Sequence, residues 1–380
     1  MRVLTLTPFY PTASDDAEGC FIAEPLRLLE QFGVNSCVVA VQPLHRTSSG
    51  SSAITPIASW VHYPCIPGGL GLAPAGALLY ASLISKVRKL HRTRPINLIH
   101  AHAALPCGHA AALLSRELKI PFVVTVHGLD AFFDNQVRGY AGQWCKRVTR
   151  FVYRAAARVI CISDKVAEKV AESAAGRVNA TVIYNGVDAQ MFSPPSTDLP
   201  ANRILSVGNL IPIKGHELLV RALAAVLPHY PDTSVEIIGD GPEYHRLAKV
   251  ASDCNIAAKV RFLGRQSRKQ VVEAMRRCIL FALPSQYEGL GCVYLEAMST
   301  EKPVIACRGQ GIDGIIRHGS NGWLIDPGDL EELIAALSTL LQNLRLRRQI
   351  GEAARRTILH GLTTTHQADR LAALYRECAA

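Results

Sequence analysis

Short runs of apolar and β-branched residues alternate along this chain with longer stretches whose apolar positions recur at helical spacing. Val3–Thr7, Asn35–Val41, Leu98–Ala101, Phe122–Val126 and Val159–Ile162 read as strands, with a further short strand at Val182. Helical patterns lie between them at Ile22–Phe32, Leu78–Arg92, Cys107–Leu118 and Ala141–Ala156. A second series has strands at Ile204–Val207, Val235–Ile238, Lys259–Leu263, Ile279–Pro284 and Pro303–Ala306. Its helices are expected at Gly215–Leu227, Tyr244–Cys254, Arg268–Arg276, Val293–Ser299, Asp329–Leu341 and Thr365–Cys378. Strand–helix alternation of this kind predicts an α/β protein with parallel sheets.

The run Pro194–Pro200 has the composition of a linker between the two series. The predicted domains are 1–188, 189–362 and a closing segment 363–380 that packs back on the first. Each domain reads as doubly wound and Rossmann-like, and the two are expected to face across a cleft at the carboxyl ends of their strands, where open α/β sheets bind ligands. The Ser-rich stretch Arg46–Ser52 reads as a loop.

Composition narrows the class. The chain has 380 residues, 49% hydrophobic and 19% charged, enough for two folded cores and unlike a disordered chain. Eleven cysteines form no Cys-x-x-Cys pair, so they read as reduced, mostly buried thiols. The first residues, MRVLTLTPFYP, turn polar too soon for a secretory signal, and no apolar run of spanning length is evident. The expected location is cytoplasmic. A net charge of +10 admits anionic partners. Lys86, Arg88, Lys89, His91, Arg92 and Arg94, and again Lys146, Arg147, Arg150, Arg154 and Arg158, cluster on predicted helices. Solvated surface is one reading; peripheral attraction to an anionic membrane surface is the sharper one. Nucleic acid is not expected, since no aromatic platform accompanies the charge.

The chemistry concentrates in a few segments. Glu288 and Glu296 stand eight positions apart, with Gly289, Leu290 and Gly291 feeding a predicted helix that carries Glu296. Backbone N–H groups of a glycine loop at a helix N-terminus hold anions, and carboxylates beside them suit sugar or ribose hydroxyls. The spacing suggests a phosphorylated, polyhydroxylated ligand. Ser206–His216 ends a strand and opens a helix, putting Lys214 and Asn209 at a sheet edge without the order of a Walker loop. Gly239-Asp240-Gly241-Pro242 is a tight turn after a strand, read first as a chain reversal. His100, His102 and His127 lie at strand ends, but no spacing completes a metal site and no Asp-x-Asp motif is present, so no metal or other cofactor is expected. The loop before Gly19 is where first-domain backbone could approach a ligand.

Taken in order, these segments resemble the retaining glycosyltransferases of family four, the group 1 glycosyl transferases, and the likeness runs nearly the whole length. It rests on Gly19, His100-Ala101-His102 with Pro106 and Gly108, Val126-His127-Gly128 with Asp130, Tyr184–Asp188, Lys214-Gly215, Gly239-x-Gly241-Pro242 and Glu288-x7-Glu296. The resemblance implies a GT-B fold of two Rossmann-like domains, the second binding a nucleotide sugar and the first an acceptor. It implies that Lys214 neutralises the leaving diphosphate with the N–H groups of Gly289, Leu290 and Gly291, that Glu288 faces the donor sugar, and that Glu296 accepts from the ribose. His127 would lie at the reacting centre, Gly19 would let its loop close over the diphosphate, and His102 and Asp130 would serve the acceptor side. The expected reaction is metal-independent same-face transfer of a hexose, with a UDP-sugar as donor and a lipid-linked or polysaccharide acceptor in cell-surface or exopolysaccharide assembly.

Two positions depart from the pattern. Asn209 stands where many members carry arginine, and Gly311-Ile312-Asp313-Gly314 stands where Gly-x-Pro-Glu is usual. Two other readings keep a place: a sugar-nucleotide-binding scaffold without transfer, motivated by Asn209, and a sugar-nucleotide epimerase, for which catalytic carboxylates are not evident.

Overall fold

The computed structural model describes residues 1–12, 15–46, 58–128, 137, 139–196 and 202–380. The chain forms two compact units: Met1–Asn185 with Thr364–Ala380, and Gly186–Thr363. The crossings therefore fall at Asn185–Gly186 and Thr363–Thr364. The Pro-rich run expected to be the linker belongs to the second unit where it is described, and its residues 197–200 lie outside the described residues. Of the Ser-rich stretch, only Arg46 is described.

The first unit is built on seven parallel strands: β1 (Arg2–Thr7), β2 (Asn35–Pro43), β3 (Ala58–Tyr63), β4 (Leu98–His102), β5 (Phe122–Val126), β6 (Arg158–Cys161) and β7 (Ala180–Val182). Their order is β3-β2-β1-β4-β5-β6-β7. The second unit has six: β8 (Arg203–Val207), β9 (Ser234–Ile238), β10 (Val260–Phe262), β11 (Leu280–Ala282), β12 (Val304–Cys307) and β13 (Trp323–Ile325), ordered β10-β9-β8-β11-β12-β13 and again all parallel. Each is a doubly wound sheet whose order reverses once, between β1 and β4 and between β8 and β11.

Strands β4 and β5 are buried at every position because helices cover both faces of the sheet. Leu219 and Leu223 of the helix His216–Val226 meet Val235, Ile237, Leu280 and Ile305 in the second core, with Leu333 and Leu337 of the helix Leu330–Gln342. The first core joins Val3, Val38, Leu98 and Val123 to Leu371 and Tyr375 of the closing helix Thr364–Ala379.

Four elements were not legible as strand or helix: β3, β13 and the helices Asp164–Ala174 and Leu344–Leu359. The two strands are edges of their sheets, and β13 has three residues. The helix Leu344–Leu359 is arginine-rich and buries only Ile350, Gly351, Ala354 and Ile358. The helix Gly69–Thr93 starts well before the expected Leu78, and it is long and apolar enough to cross a membrane by length and composition, contrary to the sequence expectation. Leu79, Leu83 and Val87 of that helix are wholly buried within the unit. None of the eleven cysteines forms a disulfide, and only five are buried.

The closing helix is tied to the sheet by a buried polar chain. The Tyr375 hydroxyl lies 2.6 Å from His100 Nδ1, and His100 Nε2 lies 2.7 Å from Thr125 Oγ1. Burial pushes the His100 pKa down to about 3, so the ring is neutral and Tyr375 can donate to it. Tyr375→Phe should lower stability by about 1–3 kcal/mol by leaving a buried ring nitrogen unsatisfied. Urea unfolding measures the loss, and an unchanged midpoint would show that the bond contributes nothing.

Candidate functional site

In the second unit the reversal point sets the chemistry. Strands β8 and β11 are hydrogen-bonded neighbours at the point where the strand order reverses. The loop after β8 carries Lys214 in a 3₁₀ turn, Pro212–Lys214, and the loop after β11 carries Glu288. Lys214 Nζ donates to Glu288 Oε1 at 2.5 Å, and Ser285 Oγ donates to the same oxygen at 3.2 Å. Both charged side chains are largely buried.

Main-chain bonds lock these loops together. Gln286 N–H donates to the Ile213 carbonyl at 2.8 Å, Gly311 N–H to the Glu288 carbonyl at 3.1 Å, and Glu288 N–H to Gln310 Oε1 at 3.1 Å. The loop after β9 leans on the Lys214 loop just as closely: a Cβ at Gly239 would fall 1.9 Å from the Gly208 carbonyl oxygen. That contact accounts for Gly239 as a packing requirement. Asn209 is exposed at this edge, and its side chain has no hydrogen bond among the described residues. The divergent segment Gly311–Gly314 is also built in: Ile312 is buried and Asp313 Oδ2 accepts the Gly309 N–H at 2.6 Å.

The helix Cys292–Ser299 begins at Gly291 with no side-chain cap and no acidic residue in its first turn. Its N-terminus is therefore left electropositive beside Leu290 and Gly291. Glu296 lies inside this helix, buried, and its Oε1 accepts from Arg268, a residue the sequence reading passed over. Arg268 opens the helix Arg268–Arg277 behind a Ser267–Gln270 capping box and lies 4.8 Å over the Phe192 ring. A capping box preceding a basic residue was the available signal. His216 was also passed over. It is buried beside Ser206 Oγ at 3.2 Å, and desolvation, with the Lys214 charge, pushes its pKa down to about 4.

A cavity of about 300 Å³ beside the Lys214 turn is lined by Ile211, Pro212, Gly215, His216 and Gln286. Its rim cations, Arg221 and Arg246, are matched by Glu217 and Glu243. The Lys214–Glu288 edge, where fixed N–H groups and one lysine converge, is the better place for an anion.

The first unit gathers a second set. His102 ends β4 and His127 follows β5, with His102 Nδ1 2.9 Å from His127 Nε2 and the rings stacked. Phe21 and Phe9 meet His127 edge-on. Gly19 adopts φ 72°, and a Cβ there would lie 2.6 Å from the Phe9 carbonyl carbon and the Tyr10 nitrogen, so only glycine fits. Gly19, His102 and His127 thus belong to one neighbourhood. Asp130 lies outside the described residues. His102, His127, Asn209, Lys214 and Glu288 sit at strand carboxyl ends or in the loops leaving them, whereas Gly19 caps the helix Cys20–Leu28 and Glu296 lies within the helix Cys292–Ser299.

Residues 188–357 match the family model for glycosyl transferases group 1, and residues 23–191 match that for glycosyltransferase family 4. An uncharacterized glycosyltransferase of Methanocaldococcus jannaschii is 33% identical over 258 residues, covering 68% of this chain and 69% of that protein. N-acetyl-alpha-D-glucosaminyl L-malate synthase of Bacillus anthracis is 27% identical over 289 residues, covering 73% and 74%. Among solved structures, sucrose-phosphate synthase from Thermosynechococcus elongatus matches with a TM-score of 0.79 at 19% identity over 99% of both chains. Anabaena HepE, solved in complex with UDP, matches with a TM-score of 0.78 at 21% identity, over 99% of this chain and 100% of that one. At these identities the structural likeness is one of fold.

Two expected outcomes follow from the geometry. Arg268→Ala strands a buried carboxylate and should cost about 3–5 kcal/mol of stability, whereas Arg268→Met with Glu296→Leu should recover most of it. Equal unfolding midpoints for the wild type and Arg268→Ala would refute the buried pair. His100 and His102 are buried, and their pKa values are pushed down by desolvation, that of His100 to about 3. Below pH ~6.5 the unfolded chain takes up protons the native state refuses. Stability should therefore be full above that pH and fall toward the native pKa, by about 1.4 kcal/mol per pH unit per histidine. Urea unfolding between about pH 7 and about pH 5 tests the sign, and a flat profile would show these rings protonated in the native state.

Proposed function

Since the chain belongs to the group 1 glycosyltransferases, with the GT-B fold of two Rossmann-like domains, we propose that it moves a hexose from UDP-sugar to a lipid-linked or polysaccharide acceptor, with retention of configuration, on the cytoplasmic side of a membrane. The observation that carries this reading is Lys214 held against Glu288 at the reversal point, beside the uncapped helix Cys292–Ser299. The UDP bound to HepE, a protein of the same fold, supports the choice of nucleotide.

Glycosyl transfer leaves positive charge on the anomeric carbon and negative charge on the departing diphosphate. An ammonium has three donors, so Lys214 can keep its bond to Glu288 and still donate to the phosphate. The N–H groups of Leu290 and Gly291 and the helix dipole add fixed positive potential where the charge develops. Glu288 faces the sugar hydroxyls. Glu296, with Oε1 committed to Arg268, offers its other oxygen to the ribose. Within the first unit, the tautomer of the His127 ring is coupled to that of His102. The C–O bond to phosphate breaks as the acceptor oxygen attacks the same face, and the released phosphate oxygen takes the acceptor proton. Lysine and helix dipole do the work a divalent cation would otherwise do, so the reaction is proposed to be metal-independent.

Asn209 brings no charge to the diphosphate, and this favours one competing reading, a sugar-nucleotide-binding scaffold. Acceptor-dependent release of UDP separates the two, because a scaffold releases none. Lys214→Ala and Glu288→Ala should each lower turnover by about 10²–10³-fold, in protein that still folds but with a lowered unfolding midpoint, because each change leaves a largely buried partner charge uncompensated. Chelation of divalent ions should leave the rate unaltered. Near-normal turnover in Lys214→Ala would remove the assigned role.

A further inference from the structure

The helix Gly139–Ala155 is apolar on two faces. Ala141, Cys145, Thr149 and Val152 turn into the first unit. Tyr140, Trp144 and Phe151 turn outward, 93%, 50% and 47% exposed. At about 100° per residue, those three fall within about 40° of one another on the helix surface. Ile66 and Leu70, also exposed, belong to a segment that touches this helix: a Cβ at Gly69 would meet the Val137 side chain, and one at Gly142 would meet the Val137 carbonyl. Five of the nine exposed large hydrophobic side chains among the described residues thus come from two adjoining segments. An apolar surface of this kind marks an interaction site.

Its charge identifies the partner. Neither the helix Gly139–Ala155 nor the helix Gly69–Thr93 contains an aspartate or glutamate. The first helix carries Lys146, Arg147, Arg150 and Arg154, and the second Lys86, Arg88, Lys89 and Arg92. Arg88 is neutralised by Glu117. Arg150 and Arg154 bind the last carbonyls of the helix Asp164–Ala174, which fixes them in place without cancelling their charge. The basic residues noted in the sequence therefore include structural caps, and the exposed aromatic stripe is the feature the sequence reading missed.

We propose that this stripe, with its basic flank, docks the first unit on an anionic lipid bilayer, Tyr140, Trp144 and Phe151 entering the headgroup layer. Tyrosine and tryptophan prefer that depth, where the ring is apolar and its polar edge stays wet. Basic residues beside an interfacial helix add attraction to anionic headgroups. A second copy of the chain fits worse, because a two-fold interface sets the same patch against itself and here would oppose like charges. The proposal adds a surface to the lipid-linked acceptor reading and stands on the first unit alone.

Flotation of the full-length protein with vesicles of phosphatidylcholine, with and without phosphatidylglycerol, tests it. Binding should need the anionic lipid and fall at high salt. A blue shift of tryptophan emission on binding should disappear in Trp144→Phe, leaving Trp60 and Trp323 unaffected. The variant Y140S/W144S/F151S should partition at least about tenfold more weakly, since each buried ring contributes on the order of a tenfold. Its circular dichroism and its turnover with a water-soluble acceptor should match the wild type. Trp144→Ser alone serves if the triple variant misfolds. Equal binding to both vesicles, no binding, or undiminished binding of the triple variant overturns the proposal. So does vesicle-free dimerisation, or capture by polyglutamate without vesicle binding, when the triple variant abolishes it. A protein that binds vesicles but transfers no sugar would defeat the transferase reading and leave this surface standing.

Discussion

A parallel strand covered by helices on both faces has only its two ends open to water, and both units of this protein obey that constraint. β4 and β5 are buried throughout, and β1, β8 and β9 from their second residue on. Groups that must meet a ligand from solvent are therefore carried by the loops at strand ends. At most strand ends successive connections run to the same side and crowd one another. Where the order reverses, the connections leave toward opposite faces of the sheet, and the side chains carried by the two loops meet at its edge. In the second unit those side chains are Lys214 and Glu288, which is why residues 74 positions apart in sequence form one ion pair.

That pair illustrates how a buried charge is made useful. An ammonium desolvated alone would shed its proton or stay out of the fold. Glu288 gives it a counter-charge and fixes its position, while Ser285 and the main-chain bonds to Ile213, Gln310 and Gly311 fix Glu288 and its loop. Arg268 does for Glu296 what Glu288 does for Lys214. Neither partner is spare, since removing one leaves the other buried without compensation. The arrangement resists reorganisation, and electrostatic stabilisation of a developing charge requires that quality.

Much of this was legible in sequence because it is local. Strands such as Phe122–Val126 and helices such as Tyr244–Asp253 follow from apolar period, and the glycine-flanked Glu288 and the Lys214-Gly215 step announce turns at strand ends. What escaped depends on partners distant in sequence. Arg268 reads as the polar start of a helix until Glu296 is seen to face it. The edge strands β3 and β13 gain their structure from a single neighbouring strand. Arg150 and Arg154 looked like free surface charge because the carbonyls they cap belong to another helix. The exposure of Tyr140, Trp144 and Phe151 was hidden for the converse reason: helical period shows that a helix has apolar faces, and only packing shows which face is covered.

The distribution of charge separates two kinds of anion binding. Residues 1–185 and 364–380 hold twenty-one Lys and Arg against thirteen Asp and Glu, whereas 186–363 hold twenty against eighteen. The unit proposed to bind a diphosphate is nearly neutral. Its affinity must come from a few groups at short range in a partly desolvated setting, where salt screens little. The first unit carries the excess on exposed helices, where each charge is worth little alone and the sum is sensitive to ionic strength. A soluble, highly charged nucleotide sugar calls for the first arrangement, because distributed surface charge would hold it in no particular orientation. An extended anionic surface calls for the second, because a lipid layer meets many side chains at once and no single geometry. Each unit thus has the electrostatics that its proposed partner demands.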